Sequence, residues 1–160
     1  MKTHKSYVKI IIILSMLLLA IVATAYGEET KNENKDFSIF PGITWGNDIQ
    51  HVELYLGRSD AKGGVDSVEW ISYYDLIESD QAYISFYFIR DKLTRIIFYL
   101  KSDAKDFNYI LADSLKYEFG EYSISNSGEI LWFLDDGTDI EIKNEMGNTK
   151  LTFKYVFDDL

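Results

Sequence analysis

Gly46-Asn47-Asp48-Ile49-Gln50-His51-Val52-Glu53-Leu54-Tyr55-Leu56-Gly57 specifies a short helix with both ends marked. Asp48 can accept from the orphan amides of the first turn, and Gly57 can take the positive φ that stops a helix. Between them Ile49, Val52 and Leu56 fall on one stripe, so the helix has a single apolar face to bury. Downstream, to about Leu100, the chain reads as strands that this stripe can cover, and the same plan then follows a second time.

Residues 68–74 are rich in aromatic and β-branched side chains, and Ala82–Ile89 and residues 93–100 flank the polar hairpin turn Arg90-Asp91-Lys92. Alternation puts Ile84, Phe86 and Phe88 on one side of a strand and Tyr83, Ser85 and Tyr87 on the other. In the next strand Ile96, Phe98 and Leu100 oppose Arg95, Ile97 and Tyr99. Residues 58–66, rich in Gly, Asp, Ser and Lys, read as loop. Gly63-Gly64 lacks the strand before and the patterned helix after it that a nucleotide loop requires.

A second helix is expected over residues 103–119. Ser102 or Asp103 would cap it, Phe107, Ile110, Leu111, Leu115 and Phe119 form its stripe, and Gly120 ends it. Strands over residues 129–134, 138–143 and 150–157 follow, separated by turns at Asp135-Asp136-Gly137 and Gly147-Asn148. Val52 to Gly57 also matches Leu115 to Gly120 locally, and Lys92-Leu93-Thr94 matches Lys150-Leu151-Thr152. The expectation is an α+β domain over residues 37–160. It would hold two pseudo-repeated helix-plus-three-strand units, residues 43–101 and 102–160, with the helices on one face of a largely antiparallel sheet.

Before this domain, Lys2, Lys5 and Lys9 precede an apolar run from Ile10 to Val22, and Ala23-Thr24-Ala25 offers small residues for signal peptidase. Cleavage after Ala25 is favoured over an uncleaved anchor, because the run falls short of the roughly 20 residues that span a bilayer. Residues 26–36 then form a polar leader, and the protein is expected to be periplasmic or secreted. All 26 acidic residues follow Ala25 together with only 13 of the 16 basic ones, so the mature chain carries a formal charge of −13 against −10 for the whole. Such a chain repels phosphate backbones, which makes nucleic acid a poor partner. With no cysteine there is no disulfide framework, thiol nucleophile or acylation site. A hydrophobic share of 47% with 16% aromatics supplies the core that must hold the fold without them.

Gly46, Asp48, Val52, Leu56 and Gly57 resemble the Gly-x-Thr-x-x-x-Val-x-x-x-Leu-Gly helix of small outer-membrane lipoproteins of the SmpA/OmlA type, a motif also seen in modules similar to β-lactamase inhibitory protein. Phe86-Tyr87-Phe88-Ile89-Arg90-Asp91-Lys92-Leu93-Thr94-Arg95-Ile96 is similar to that family's closing hairpin. The likeness covers residues 45–100, with a faint second copy to the end. Asp48 stands where the family has threonine, no proline follows Gly57, and the lipid-bearing cysteine is missing. The resemblance to the tandem inhibitor modules implies an open sheet face that binds a protein partner, without an acyl anchor.

No residue pattern selects a cofactor or a catalytic set. His51, the only histidine after Ala25, lies opposite the apolar stripe and has no local nucleophile, so it reads as a surface residue. The acidic cluster Asp135, Asp136, Asp139 and Glu141 is the best metal candidate, but it lacks the calcium-hand spacing, and Asp136-Gly137 already reads as a tight turn. Tyr73, Tyr83, Tyr87 and Tyr99 with Arg95 would form an aromatic outer face, of the residue types that dominate interfaces. The alternative is that a loop or a further layer covers them. The functional expectation is an exported, non-catalytic module that binds a protein or extended polymer through this face; the runner-up is a hydrolase using two facing carboxylates.

Overall fold

Asp48 closes the first turn of helix α1 (Ile49–Leu56) by accepting a 2.7 Å hydrogen bond from the His51 amide. Gly57 ends the helix at φ 85° and ψ −178°, a positive-φ combination essentially confined to glycine. The computed structural model describes residues 40–74, 82–101 and 106–157. The expected signal segment, the leader, Ser102 and Asp103 lie outside the described residues; the second helix starts at Phe107 rather than at 103, with Asp106 at its N-cap position and no side-chain capping bond.

Four strands follow α1, namely β1 (Ala61–Val65), β2 (Val68–Tyr73), β3 (Ala82–Ile89) and β4 (Lys92–Lys101). Helix α2 (Phe107–Phe119) comes next, and then β5 (Ser123–Ile124), β6 (Ile130–Phe133), β7 (Thr138–Glu145) and β8 (Asn148–Tyr155). All eight strands join one sheet in the order β1-β2-β3-β4-β8-β7-β6-β5, and every neighbouring pair is antiparallel. The α+β class and the antiparallel sheet stand, but the helix-plus-three-strand units do not. Each helix precedes four strands, and the strands form a single continuous sheet that dominates the molecule.

The added strands are the outermost ones. Residues 61–65 read as loop because of Gly63 and Gly64, yet these glycines serve close packing within a strand. A Cβ at Gly63 would sit 2.7 Å from the Trp70 ring, and one at Gly64 would sit 2.9 Å from the Val68 carbonyl oxygen. Glycine inside a strand marks such an approach as readily as a break. β5 is only two residues long and carries no periodicity to read.

One continuous core lies between the helices and the sheet. Val52 of α1 and Phe107, Leu111, Ala112 and Leu115 of α2 join Ile71, Ile84, Phe86, Phe98, Ile140 and Phe153 in it. Because both helices feed this one cluster, they share a face of the sheet. Ile110, expected in the α2 stripe, is instead exposed, and Ala112 takes the inward position. Trp45 ties the halves together. Its Nε1 donates a 3.0 Å bond to Thr138 Oγ1, and its ring stacks with Tyr155 at 6.0 Å. Among the described residues no helix is long and apolar enough to cross a membrane.

Candidate functional site on the open sheet face

Residues paired directly across an antiparallel ladder project from the same face, so the register fixes what the sheet presents away from the helices. One row across the strands contains Trp70, Tyr87, Arg95, Lys154, Asp139 and Phe133. A second contains Ser72, Ser85, Ile97, Thr152, Glu141 and Leu131, and a third contains Tyr83, Tyr99, Lys150 and Lys143. The middle row is short-chained over β2, β3, β4 and β8. Ser72, Ser85, Ile97 and Thr152 are all buried there, walled in by the taller rows on either side.

Over β3 and β4 this trough is bridged. The Tyr87 and Tyr99 hydroxyls meet at 3.4 Å, and Tyr83 stacks on Tyr99 with ring centroids 4.4 Å apart and planes 11° from parallel. Beneath them the Ser72 and Ser85 hydroxyls pair at 2.7 Å. Burial, followed by the hydrogen bond and charge of Tyr87, pushes the Tyr99 phenol above its ordinary value; burial does the same for Tyr83. Both therefore stay neutral well beyond neutral pH.

Over β8, β7 and β6 the trough opens into a depression of about 350 Å³, with Arg95, Lys154, Thr152, Glu141, Leu131 and Phe133 among its lining. Lys143 pairs with Glu141 at 3.4 Å, and Lys150 pairs with Glu145 at 3.1 Å while lying over the Tyr99 ring. The Lys150 contact lowers the Glu145 carboxyl below its ordinary range. Arg95 and Lys154 face each other directly across β4 and β8. Among the described residues, neither has a carboxylate within ion-pair distance.

Tyr83, Tyr87, Tyr99 and Arg95 are thus brought together on the open face. Tyr73 is not, which corrects the expectation. It pairs across the ladder with Ile84, is buried in the helix-side core, and donates a 2.9 Å bond to the Gly57 carbonyl. Tyr74, one residue on, lies instead against Tyr83 with ring centroids 5.8 Å apart. Sequence reasoning also missed Lys154, Thr152 and Leu131 as members of this surface. Alternation placed Thr152 and Lys154 on one side of β8, but only the β4–β8 pairing sets that side next to Arg95.

The three aspartates do not converge. Asp136 accepts from the Thr138 amide at 2.9 Å and from its hydroxyl at 3.1 Å within the turn, Asp135 is exposed, and Asp139 stands on the open face opposite Lys154. Among the described residues no three His, Asp or Glu side chains gather as metal ligands would. His51 is half-buried, with Nε2 2.9 Å from the Gly42 carbonyl oxygen and its ring against Tyr55. A hydrolytic carboxyl pair needs one acid held protonated by a raised pKa. Among the described residues the displaced carboxyls, Glu53, Glu129 and Glu145, are all moved down, the first two chiefly by serine hydrogen bonds. No family model, curated protein or solved structure matches the chain, so the site rests on its own chemistry.

Proposed function

We propose that this protein is an exported, non-catalytic binding module whose open sheet face receives a protein or an extended polymer. The observation that carries this reading is the tyrosine and arginine cluster at the middle of the sheet, on the face opposite both helices. Its polar tips are already hydrogen-bonded to one another and its small central residues are dry, so a partner meets a preformed surface. Tyrosine and arginine in such a setting are the side chains from which interfaces draw most of their energy.

The test is a paired substitution, Tyr87→Ser with Tyr99→Ser, in the exported protein. The circular dichroism spectrum should be unchanged while retention of a partner from the native extracytoplasmic extract is lost; undiminished retention would refute the reading. Export itself is tested by sequencing the N-terminus of the secreted material, where a start just after Ala25 is expected and a start at Met1 overturns it.

A further inference from the structure

We infer that the occupant of this face is an extended acidic polypeptide segment, whose carboxylates sit in the depression against Arg95 and Lys154. This rests on the binding reading above and adds the partner's chemistry. Two cations directly opposite each other on adjacent strands repel, and folding gains nothing from placing them so. The chain has 26 acidic residues against 16 basic ones, ample to neutralise both. Lys143 and Lys150 in the same depression are each ion-paired with a carboxylate, whereas among the described residues Arg95 and Lys154 form no ion pair, although Asp139 stands opposite Lys154 on β7. Four cations, Arg95, Lys143, Lys150 and Lys154, line the depression against two carboxylates, Asp139 and Glu141, and such a cationic excess on an acidic protein is arranged for an anion supplied from outside.

The surroundings decide which anion. Phe133, 69% exposed, and Leu131 border the depression, so the ligand brings apolar groups beside its charge. A sugar chain or a run of bases would stack on free aromatic faces. The Tyr83 and Tyr99 rings instead face each other, and Lys150 lies over Tyr99. A uniform polyanion would also meet Asp139 and Glu141, which share the surface with the cations. A polypeptide suits this alternation, with side-chain carboxylates for Arg95 and Lys154 and backbone amides as donors to Asp139 and Glu141.

The test titrates the whole exported protein with a short end-blocked peptide alternating glutamate and tyrosine, with its glutamine counterpart, and with polygalacturonate. The glutamate peptide should bind about tenfold tighter than the glutamine one and lose that advantage as salt rises. The double variant Arg95→Gln with Lys154→Gln should remove the same tenfold while its thermal midpoint stays within a degree or two of the parent. Equal affinity for the two peptides, undiminished binding by the double variant, absence of peptide binding, or tighter binding of polygalacturonate would each overturn the assignment. A partner retained by the Arg95/Lys154 variant but lost by the Tyr87/Tyr99 variant would refute the acidic occupant and leave the binding face standing. Retention by both variants would remove the binding face itself.

Discussion

On the helix side of β3, Ile84, Phe86 and Phe88 are buried in the cluster that contains Val52, with Phe40 packed on Phe86 at 5.6 Å. On the other side of the same strand, Ser85 is equally dry, although among the described residues no helix lies above it. The first burial comes from a second layer, the second from tall neighbours within one layer. Broad sheets can therefore carry a dehydrated patch on an uncovered face wherever small residues run between rows of aromatic and long charged ones. The side chains of such a patch are already packed and hydrogen-bonded to one another before anything binds, unlike a loop that must be ordered.

Substitutions on the two sides should separate accordingly. Phe86→Ala, which empties a fully buried ring site, should cost about 3–5 kcal/mol in urea unfolding. Tyr87→Ser should cost well under half of that, and equal losses would erase the distinction between the faces. Tyr73 is the tyrosine that went to the covered side, and Tyr73→Phe should lose about 1 kcal/mol with its bond to the Gly57 carbonyl. Burial, with Glu53 and Asp60 adding to it, pushes the Tyr73 phenol up to about 12. The neutral form is thus favoured in the fold: its contribution is complete below about pH 10, the unfolded value, and disappears as pH climbs towards 12. Denaturant midpoints through this window should fall less steeply for Tyr73→Phe than for the parent.

Smaller effects belong to the uncovered side. A double-mutant cycle on Tyr83 and Tyr99 should return a coupling of about 0.5–1.5 kcal/mol from their stacked rings. A value near zero would mean that the tyrosines merely share a surface. The same cycle on Arg95 and Lys154 should give a repulsive coupling of roughly 0.2–1 kcal/mol that shrinks in salt. An attractive coupling would remove the ground for an external anion.

Much of this was legible from residue order. The capped helix at Asp48, the strands β2 to β4 and β6 to β8, and the sides taken by Phe86, Tyr87, Ile140 and Glu141 follow from alternation and turn chemistry. What stayed hidden depends on partners distant in sequence. Apolar residues at 68, 70, 71 and 73 give β2 no clean parity, so Tyr73 is assigned a face only once Ile71 is opposite Phe86. Ile97 is dry on the open side because Tyr87, Arg95 and Tyr99 surround it, which local pattern does not reveal. Gly63 reads as a break until Trp70 is laid across it. The Arg95 and Lys154 pair emerges only from the joining of β4 to β8.

That joining has a further consequence. β4 and β8 are each the last strand of a four-strand meander, so the central ladder is made without any hairpin linking its two sides. A nick between Lys101 and Asp106 would sever no hydrogen-bonded pair of strands. Co-expressed as separate polypeptides, the two pieces should reassemble through that ladder and the Trp45 bridge to Thr138. The molecule is thereby a natural scaffold for a split reporter, in which the cluster of tyrosines and the acidic-peptide seat become whole only when the pieces meet.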